Sequence, residues 1–327
     1  AARLGVGRDL ARSPHEGGHG AGVLGMAKVA FLGTGSTGDS ARRSASTAVV
    51  TPGGDVILID VSGGSEIVSA VRDAPLPWAR LRAVVITHQH FDHASGLPFV
   101  LFWAAIAGKA PDATVGPIEL CVPAPAVEGL RAACDTFFPG LYTPWWLGDR
   151  ARWHGCDPGQ FLWGLDLLDD GTSVTPPEID HGPPATLPEG VVARIVTMAV
   201  SHGAPPMPAQ AVRIDIAMAD GSVRRVVVSG DTGPNLELGK VGPEPDLLVH
   251  EASAVASLGH DLDNVATIGH ATAATAGRVA TRARAKRLAL NHLGVSWAAD
   301  PSPAREEAAA HFAGEVLVPN DLDWLDL

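Results

Sequence analysis

Residues 87–98 read Thr-His-Gln-His-Phe-Asp-His-Ala-Ser-Gly-Leu-Pro and directly follow the apolar run at 83–86. An apolar run of this kind predicts a buried strand, so the polar residues fall on the loop at its C-terminal end. Four side chains that can bind metal ions lie within six residues, in the spacing H-x-H-x-D-H: His88, His90, Asp92 and His93. Because side chains alternate along an extended segment, the first two histidines point the same way and can bind one ion. The last two residues follow as the chain turns into a helix, and can face a second ion.

Further candidate ligands come from distant segments. A site for two ions needs about three or four protein ligands per ion and a bridging group. Three polar residues each follow a β-like apolar run: His202 after 195–201, Asp231 after 226–230 and His292 after 288–291. Polar residues at the ends of consecutive strands converge on one edge of a sheet, where α/β folds bind ligands. His250 and His260 are the nearest competitors for the two histidine positions.

These residues, with three further segments, resemble the ribonuclease Z branch of the metallo-β-lactamase superfamily. The segments are Phe31-Leu32-Gly33-Thr34-Gly35, His250-Glu251-Ala252-Ser253 where the family has His-Glu-Ala-Thr, and Gly269-His270-Ala271-Thr272, which matches the start of the last helix before the final ligand. The resemblance covers roughly residues 27–320. It implies a metal-dependent hydrolase and an α/β fold, the αββα sandwich of two mixed β-sheets flanked by helices.

The resemblance also implies a role for each site residue. One ion would be bound by His88, His90 and His202, and the other by Asp92, His93 and His292, with Asp231 bridging. Glu251 would orient His270 as the acid that protonates the leaving group, and Asp92 could also help to deprotonate water. The structural alternatives are a helix cap for His270 and a surface ion pair for Glu251. Imidazole ligands favour zinc for the two divalent ions, although manganese or iron could occupy the carboxylate-containing site.

The sequence departs from that branch in two places. Asp60 is followed by Val61-Ser62-Gly63-Gly64-Ser65, where the family has Cys-Gly-x-Gly-Thr-Gln. The tRNA-processing members carry a basic arm that holds the tRNA, whereas residues 141–190 contain eight acidic residues and two basic ones. Because Lys and Arg dominate nucleic-acid affinity, this segment argues against an arm that grips RNA.

The segment 137–190 is the most individual part of the chain. It is rich in aromatic residues: Phe137, Phe138, Tyr142, Trp145, Trp146, Trp153, Phe161 and Trp163. Because prolines and glycines interrupt it, we expect a loop or arm, not a sheet strand, inserted into a single domain that spans 26–327. Such an insertion could wall a substrate pocket or dock against a second subunit of a homodimer. The structural alternative is a satellite core beneath a long loop.

Composition limits the class of protein. The 327 residues are 46% hydrophobic and 18% charged, which is enough for one large α/β domain, and the net charge of −12 disfavours nonspecific binding to nucleic acid or anionic membrane. The sequence contains no run of about 18 apolar residues, so it does not predict a membrane helix. Three scattered cysteines favour a reducing compartment, hence the cytoplasm. Residues 1–25 lack the apolar core of a signal peptide, so we expect a disordered leader or an added extension.

The order of the predicted elements supports the fold. Strand-like runs occur at 28–33, 47–50, 55–60, 82–87, 118–122, 191–200, 211–218, 224–229, 246–250, 286–291 and 315–318, and helical patterns at 64–73, 97–108, 124–136, 271–284 and 302–312. Gly53-Gly54 and Asp220-Gly221 each separate two runs and predict hairpins. Hairpins followed by strand–helix alternation predict two packed sheets with helices outside.

The predicted function is a two-metal hydrolase that acts on a small or cyclic phosphodiester, because a poor alkoxide leaving group needs an acid such as His270. Several alternatives use the same ligands or the same fold: a hydrolase of a lactone, β-lactam or sulfate ester, an RNA-processing endonuclease, a metal-stabilised binding module with low turnover, and a mononuclear iron oxidase.

Overall fold

The computed structural model describes residues 25–38, 41–109, 116–157, 162–183, 185–240, 242–295 and 299–327. All but the last residue of the predicted leader therefore lie outside the described residues. Within these ranges, no helix is both long enough and apolar enough to cross a bilayer.

In the described part of the chain, seven strands form the first sheet. They are β1 (Lys28–Gly33), β2 (Ser46–Val50), β3 (Val56–Ile59), β4 (Leu81–Val85), β5 (Ile118–Pro123), β6 (Ala151–Cys156) and, from the far end of the chain, β15 (Trp324–Asp326). Their order is β15-β1-β2-β3-β4-β5-β6. Pairing is antiparallel from β15 to β3 and parallel from β3 to β6, so the sheet is mixed as predicted.

The second sheet contains eight described strands. They are β7 (Trp163–Leu168), β8 (Ser173–Val174), β9 (Val191–His202), β10 (Met207–Ala217), β11 (Val223–Val228), β12 (Leu247–Glu251), β13 (Arg287–Asn291) and β14 (Glu315–Leu317). The order is β14-β13-β12-β11-β10-β9-β7-β8, parallel from β11 to β14 and antiparallel elsewhere. Both predicted hairpins are confirmed, since β2 pairs antiparallel with β3 and β10 with β11.

Helices cover the outer faces of the two sheets. They are α1 (Glu66–Asp73), α2 (Phe91–Ala94), α3 (Leu97–Ala107), α4 (Val127–Phe137), α5 (Leu262–Thr267), α6 (Ala273–Ala283) and α7 (Ser302–Ala309). Buried residues of α1, α3 and α4 pack on the first sheet, and those of α6 and α7 on the second. A third apolar cluster, which includes Phe31, Ile57, Ile195 and Ile214, lies between the sheets. The predicted αββα sandwich is confirmed.

The expectation that 137–190 forms a loop or arm and no sheet strand is wrong. This segment supplies β6 to the edge of the first sheet, and β7 and β8 to the edge of the second. The strand pattern of β7 is hidden because it contains a buried carboxylate, Asp166, whose oxygens accept hydrogen bonds from the Arg194 guanidinium on β9 at 2.6 and 2.8 Å. That partner is distant in sequence, so the local pattern gave no sign of it.

The aromatic residues of this segment have two different roles. Phe138 stacks on Phe102 of α3, with ring centroids 4.5 Å apart, and Tyr142, Trp146 and Trp153 pack against the same core cluster. These residues extend the main core of the first sheet and do not form a separate satellite core. Phe137 and Trp145 are exposed, and Phe161 lies outside the described residues.

Candidate metal centre

The seven residues predicted as metal ligands meet at one edge of the sandwich. Each lies at or just beyond the C-terminal end of a strand or in the short helix α2. His88 follows β4, His202 ends β9, Asp231 follows β11 and His292 follows β13. Asp92 and His93 lie in the first turn of α2, directly after His90. The arrangement arises because parallel strands end on the same side and the loops there carry the polar residues.

The first group of candidate ligands consists of His88, His90, His202 and Asp231. The Nδ1 atom of His90 lies 2.9 Å from Nε2 of His88 and 3.1 Å from Nε2 of His202. Asp231 Oδ2 lies 3.8 Å from Nε2 of both His88 and His202. All four ligand atoms lie within 4.8 Å of one another. Three imidazole nitrogens and one carboxylate oxygen form a donor set suited to zinc.

The second group consists of Asp92, His93 and His292. Asp92 Oδ2 lies 3.6 Å from Nε2 of His93 and 3.5 Å from Nε2 of His292. The same two nitrogens lie 3.4 and 3.2 Å from Asp231 Oδ2. Asp231 is therefore the carboxylate that lies between the two groups.

The protonation of His88, His90 and Asp92 suits metal binding. Burial lowers the pKa of His88 well below its usual value, and burial followed by the neighbouring His202 lowers the pKa of His90. Both rings are thus held in the neutral form that binds metals. Burial would raise the pKa of Asp92, but the neighbouring His292 and His93 outweigh it and hold the pKa well below its usual value. Asp92 is therefore a carboxylate.

Several buried atoms at the centre have no protein partner. His93 Nε2, His292 Nε2 and Asp231 Oδ1 make no hydrogen bond to any described residue. Buried polar atoms in proteins are almost always satisfied. Five imidazoles and only two carboxylates also lie in close contact, so the nitrogen lone pairs outnumber the partners available to them within the centre. Divalent ions would bind the unsatisfied atoms and the clustered imidazoles, so the residues fit a metal centre.

Hydrogen bonds outside the two groups orient the imidazoles. Asp60, which has φ = 57°, accepts hydrogen bonds from His93 Nδ1 and from the Thr87 hydroxyl, both at 2.8 Å. The Thr87 oxygen in turn lies 3.1 Å from His88 Nδ1, and His202 Nδ1 lies 2.8 Å from the carbonyl of Gly269. Because Nδ1 donates in each case, Nε2 presents its lone pair to the centre. Sequence analysis noted Asp60 only as the residue before the departure from the family pattern at 61–65 and did not predict this role.

The pair Glu251 and His270 lies beside the centre. His270 Nδ1 is 3.1 and 3.3 Å from the two oxygens of Glu251 and 3.9 Å from Asp231 Oδ2. Burial would lower the pKa of His270, but the charges of Glu251 and Asp231 outweigh it and raise the pKa to about 9. The cap of α6 is Thr272, whose hydroxyl accepts a hydrogen bond from the Thr275 amide, and Glu251 is buried. Neither structural alternative therefore describes this pair.

Ser253, which sequence reasoning passed over, connects this pair to the ligands. Its hydroxyl donates to Glu251 Oε2 at 2.7 Å, and its oxygen lies 3.1 Å from Nδ1 of His292 and 3.2 Å from Nδ1 of His270. The two competitor histidines lie elsewhere: His250 Nδ1 contacts the Glu251 carbonyl at 2.7 Å, and His260 Nδ1 accepts from the Val255 amide at 2.9 Å. Neither is in a candidate metal group of the described residues.

Known proteins resemble this chain both in sequence and in fold. The family model of the metallo-beta-lactamase superfamily matches residues 41–187. A ribonuclease Z of Pseudomonas putida (strain GB-1) is 30% identical over 327 aligned positions, which cover 89% of this chain and 94% of that protein. Among solved structures, the metallo-beta-lactamase fold protein YhfI of Bacillus subtilis aligns with a TM-score of 0.63 at 20% identity, covering 92% of this chain and 100% of that one. The short form of human tRNase Z aligns with a TM-score of 0.62 at 21% identity, covering 91% and 98%.

Proposed function

The chain belongs to the ribonuclease Z-like branch of the metallo-β-lactamase superfamily and is a metal-dependent hydrolase, and from this premise we propose that it cleaves phosphodiesters at a centre of two divalent ions. The observation that carries the proposal is the Glu251–His270 pair, 3.1 Å apart and adjacent to the histidine–aspartate cluster. A phosphodiester with an alkoxide leaving group requires such a proton donor, whereas a lactam or lactone depends on it less.

We assign the ligands from the two groups described above. His88, His90 and His202 would hold one ion, Asp92, His93 and His292 the other, and Asp231 would bridge them. Zinc suits the imidazoles, and manganese or iron suits the site with two carboxylates. When bound, the ions would activate a water nucleophile and stabilise negative charge on the reacting phosphoryl group.

The remaining chemistry is assigned to protein side chains. Glu251 keeps His270 protonated and fixes its ring through Nδ1, so that Nε2 can donate a proton to the departing oxygen. The second carboxylate oxygen of Glu251 is itself fixed, because Oε1 accepts from the Thr232 amide at 2.6 Å. In this proposal Asp92, which lies next to both histidines of its group, would also accept a proton from the attacking water.

A small or cyclic phosphodiester is the substrate that the insertion favours. The described part of 137–190 is built into the edges of both sheets, and the segment is acidic, which disfavours phosphate contacts. Structured RNA is the second candidate, because the P. putida relative that matches nearly the whole chain is named a ribonuclease Z. The cytoplasmic location and the homodimer expected from the sequence stay predictions.

The test is a substrate panel with zinc- or manganese-loaded protein. It contains bis(p-nitrophenyl) phosphate, a 2′,3′-cyclic nucleotide, a tRNA precursor with a 3′ extension, and lactam, lactone and sulfate-ester probes. We expect phosphodiester turnover, with kcat on alkoxide leaving groups reduced ~10²- to 10⁴-fold by His270→Ala and much less reduced on p-nitrophenolate. His311→Ala, which changes an exposed histidine, is the control. Turnover of only a lactam, lactone or sulfate-ester probe would exclude phosphodiester cleavage. Cleavage of the tRNA precursor and of no other phosphodiester would select structured RNA as the substrate.

A further inference from the structure

A cavity of ≈ 20 Å³ lies between the two sheets and reaches the candidate metal centre from the core side. Its lining includes Thr47 on β2, Asn291 at the end of β13, and Asp231. Side chains alternate along a strand, and Val49 and Ala289, each two residues away from the first two, belong to the apolar core between the sheets. Thr47 and Asn291 therefore point into the same space between the sheets.

Three of the residues that line this cavity carry an unsatisfied buried oxygen. Thr47 Oγ1, Asn291 Oδ1 and Asp231 Oδ1 have no hydrogen-bond partner in the described part of the chain. The residues are 1%, 6% and 3% exposed. The other lining residues that could compete are already engaged: the Ser46 hydroxyl donates to the Asp60 carbonyl at 2.9 Å, and the Ser229 hydroxyl donates to the Gly230 carbonyl at 2.6 Å. The three unsatisfied oxygens thus belong to residues that line one cavity.

The size and chemistry of this space fit one water molecule. A buried water needs at least roughly 10–15 Å³ and two to four polar partners. A water has two protons to donate, which matches two acceptors, the carboxylate oxygen of Asp231 and the amide oxygen of Asn291. The Thr47 hydroxyl can donate the third hydrogen bond to the water. Each of the three unsatisfied oxygens then has one hydrogen bond to the water.

We propose that this cavity binds a single water molecule that positions Asp231. The water holds Oδ1 from the core side, so that Oδ2 stays between the Nε2 atoms of His93 and His292, at 3.4 and 3.2 Å. Thr47 and Asn291 are positioning residues, since they act on the centre through the water and Asp231. The inference rests on the proposed role of Asp231 as a metal ligand, but not on the identity of the substrate.

The first test is a crystal structure of the zinc-loaded protein at a resolution that shows ordered water. We expect one density peak within hydrogen-bond distance of Thr47 Oγ1, Asn291 Oδ1 and Asp231 Oδ1. A dry cavity, or Asp231 Oδ1 bound directly to a metal ion in place of the water, would overturn the proposal.

The second test measures zinc affinity by competition with a chromophoric chelator and needs no turnover. Thr47→Val removes the hydroxyl at constant shape and should weaken zinc binding ~10-fold, the lower end of the effect of residues that support ligands. Thr47→Ser keeps the hydroxyl and should bind zinc with the wild-type affinity. Ile57→Val changes a core side chain on β3 that also lies between the two sheets, and it should leave zinc affinity unchanged. Equal affinity of Thr47→Val and Ile57→Val would refute the proposal; if Thr47→Val does not fold, the crystal structure decides. Normal zinc binding without phosphodiester turnover would instead count against the proposed function alone.

Discussion

Two buried polar clusters in this molecule differ in how their charges are matched. On the outer face of the second sheet, Arg225 Nε lies 2.6 Å from Asp215 Oδ1 and Arg213 Nε lies 3.0 Å from Asp215 Oδ2. Backbone carbonyls of Asp180 and Gly182 accept further hydrogen bonds from these arginines. At the candidate metal centre, by contrast, like groups face one another and several atoms are unsatisfied. Each arginine of the first cluster has a carboxylate and a backbone carbonyl as partners within the protein, which stabilises the fold, whereas the facing nitrogens and oxygens of the metal centre need a bound ion.

Asp231→Asn gives the sharpest test of this contrast. It removes the one negative charge shared by both ligand groups, so we expect most of the bound metal and at least ~10³-fold of the hydrolytic activity to be lost. Metal content by elemental analysis and hydrolysis rates are the measurements. Asp300→Asn changes an exposed aspartate and should alter neither. Full metal occupancy in Asp231→Asn would mean that the cluster does not depend on the bridging carboxylate.

Asp215→Asn should disrupt the arginine–aspartate cluster on the outer face of the second sheet. It leaves two buried arginines without their shared carboxylate at nearly unchanged side-chain volume, and removing one partner of a buried ion pair costs about 3–5 kcal/mol. We expect the free energy of unfolding, measured by urea titration, to fall by about this amount. The metal content of the folded fraction should stay at the wild-type value. A loss of metal with unchanged stability would reverse the roles assigned to the two clusters.

The same contrast explains what could be predicted from the sequence. Four of the seven candidate ligands fall in one short motif, and the others follow apolar runs, so strand ends and local spacing were sufficient to bring them together. The arginine–aspartate cluster is different. Arg213 and Asp215 alternate with apolar residues on β10, a pattern that predicts a solvated outer face. They are buried because residues from 180–182, more than 30 positions away in the chain, cover that face.

Long-range contacts also explain the two local failures. β6 and β7 become strands through pairing with β5 and β9, and Asp60 acquires its role through contacts with Thr87 and His93. None of these partners lies in the local window from which strands and loops are predicted. Residues that lie in recognisable motifs, Glu251 included, were therefore predicted, whereas Asp60 and Ser253, which contact those residues from outside the motif pattern, were assigned no role.

Glu119 provides the mildest test, because its buried carboxylate has several partners within the protein, among them Arg152, whose Nη1 lies 3.5 Å from Oε1. It accepts hydrogen bonds from His154 Nε2 at 2.6 Å and the Ser173 hydroxyl at 2.8 Å, and so links β5 and β6 to β8 of the opposite sheet. Burial would raise the pKa of Glu119, but these hydrogen bonds outweigh it and lower the pKa below its usual value.

The sign of the pH dependence follows from that lowered pKa. Since the folded state binds the proton of Glu119 less readily than the unfolded state does, its stabilisation is present above the unfolded pKa of about 4.3 and is lost as pH falls through the folded pKa. At pH 7, Glu119→Gln should unfold about 1–2 kcal/mol more easily than the wild type. We expect this difference, measured by thermal unfolding between pH 7 and pH 3, to shrink on the acid side. A difference that stays constant across this range would show that the charge of Glu119 contributes nothing beyond its shape, and that a satisfied buried carboxylate at the sheet edge behaves as a neutral packing residue.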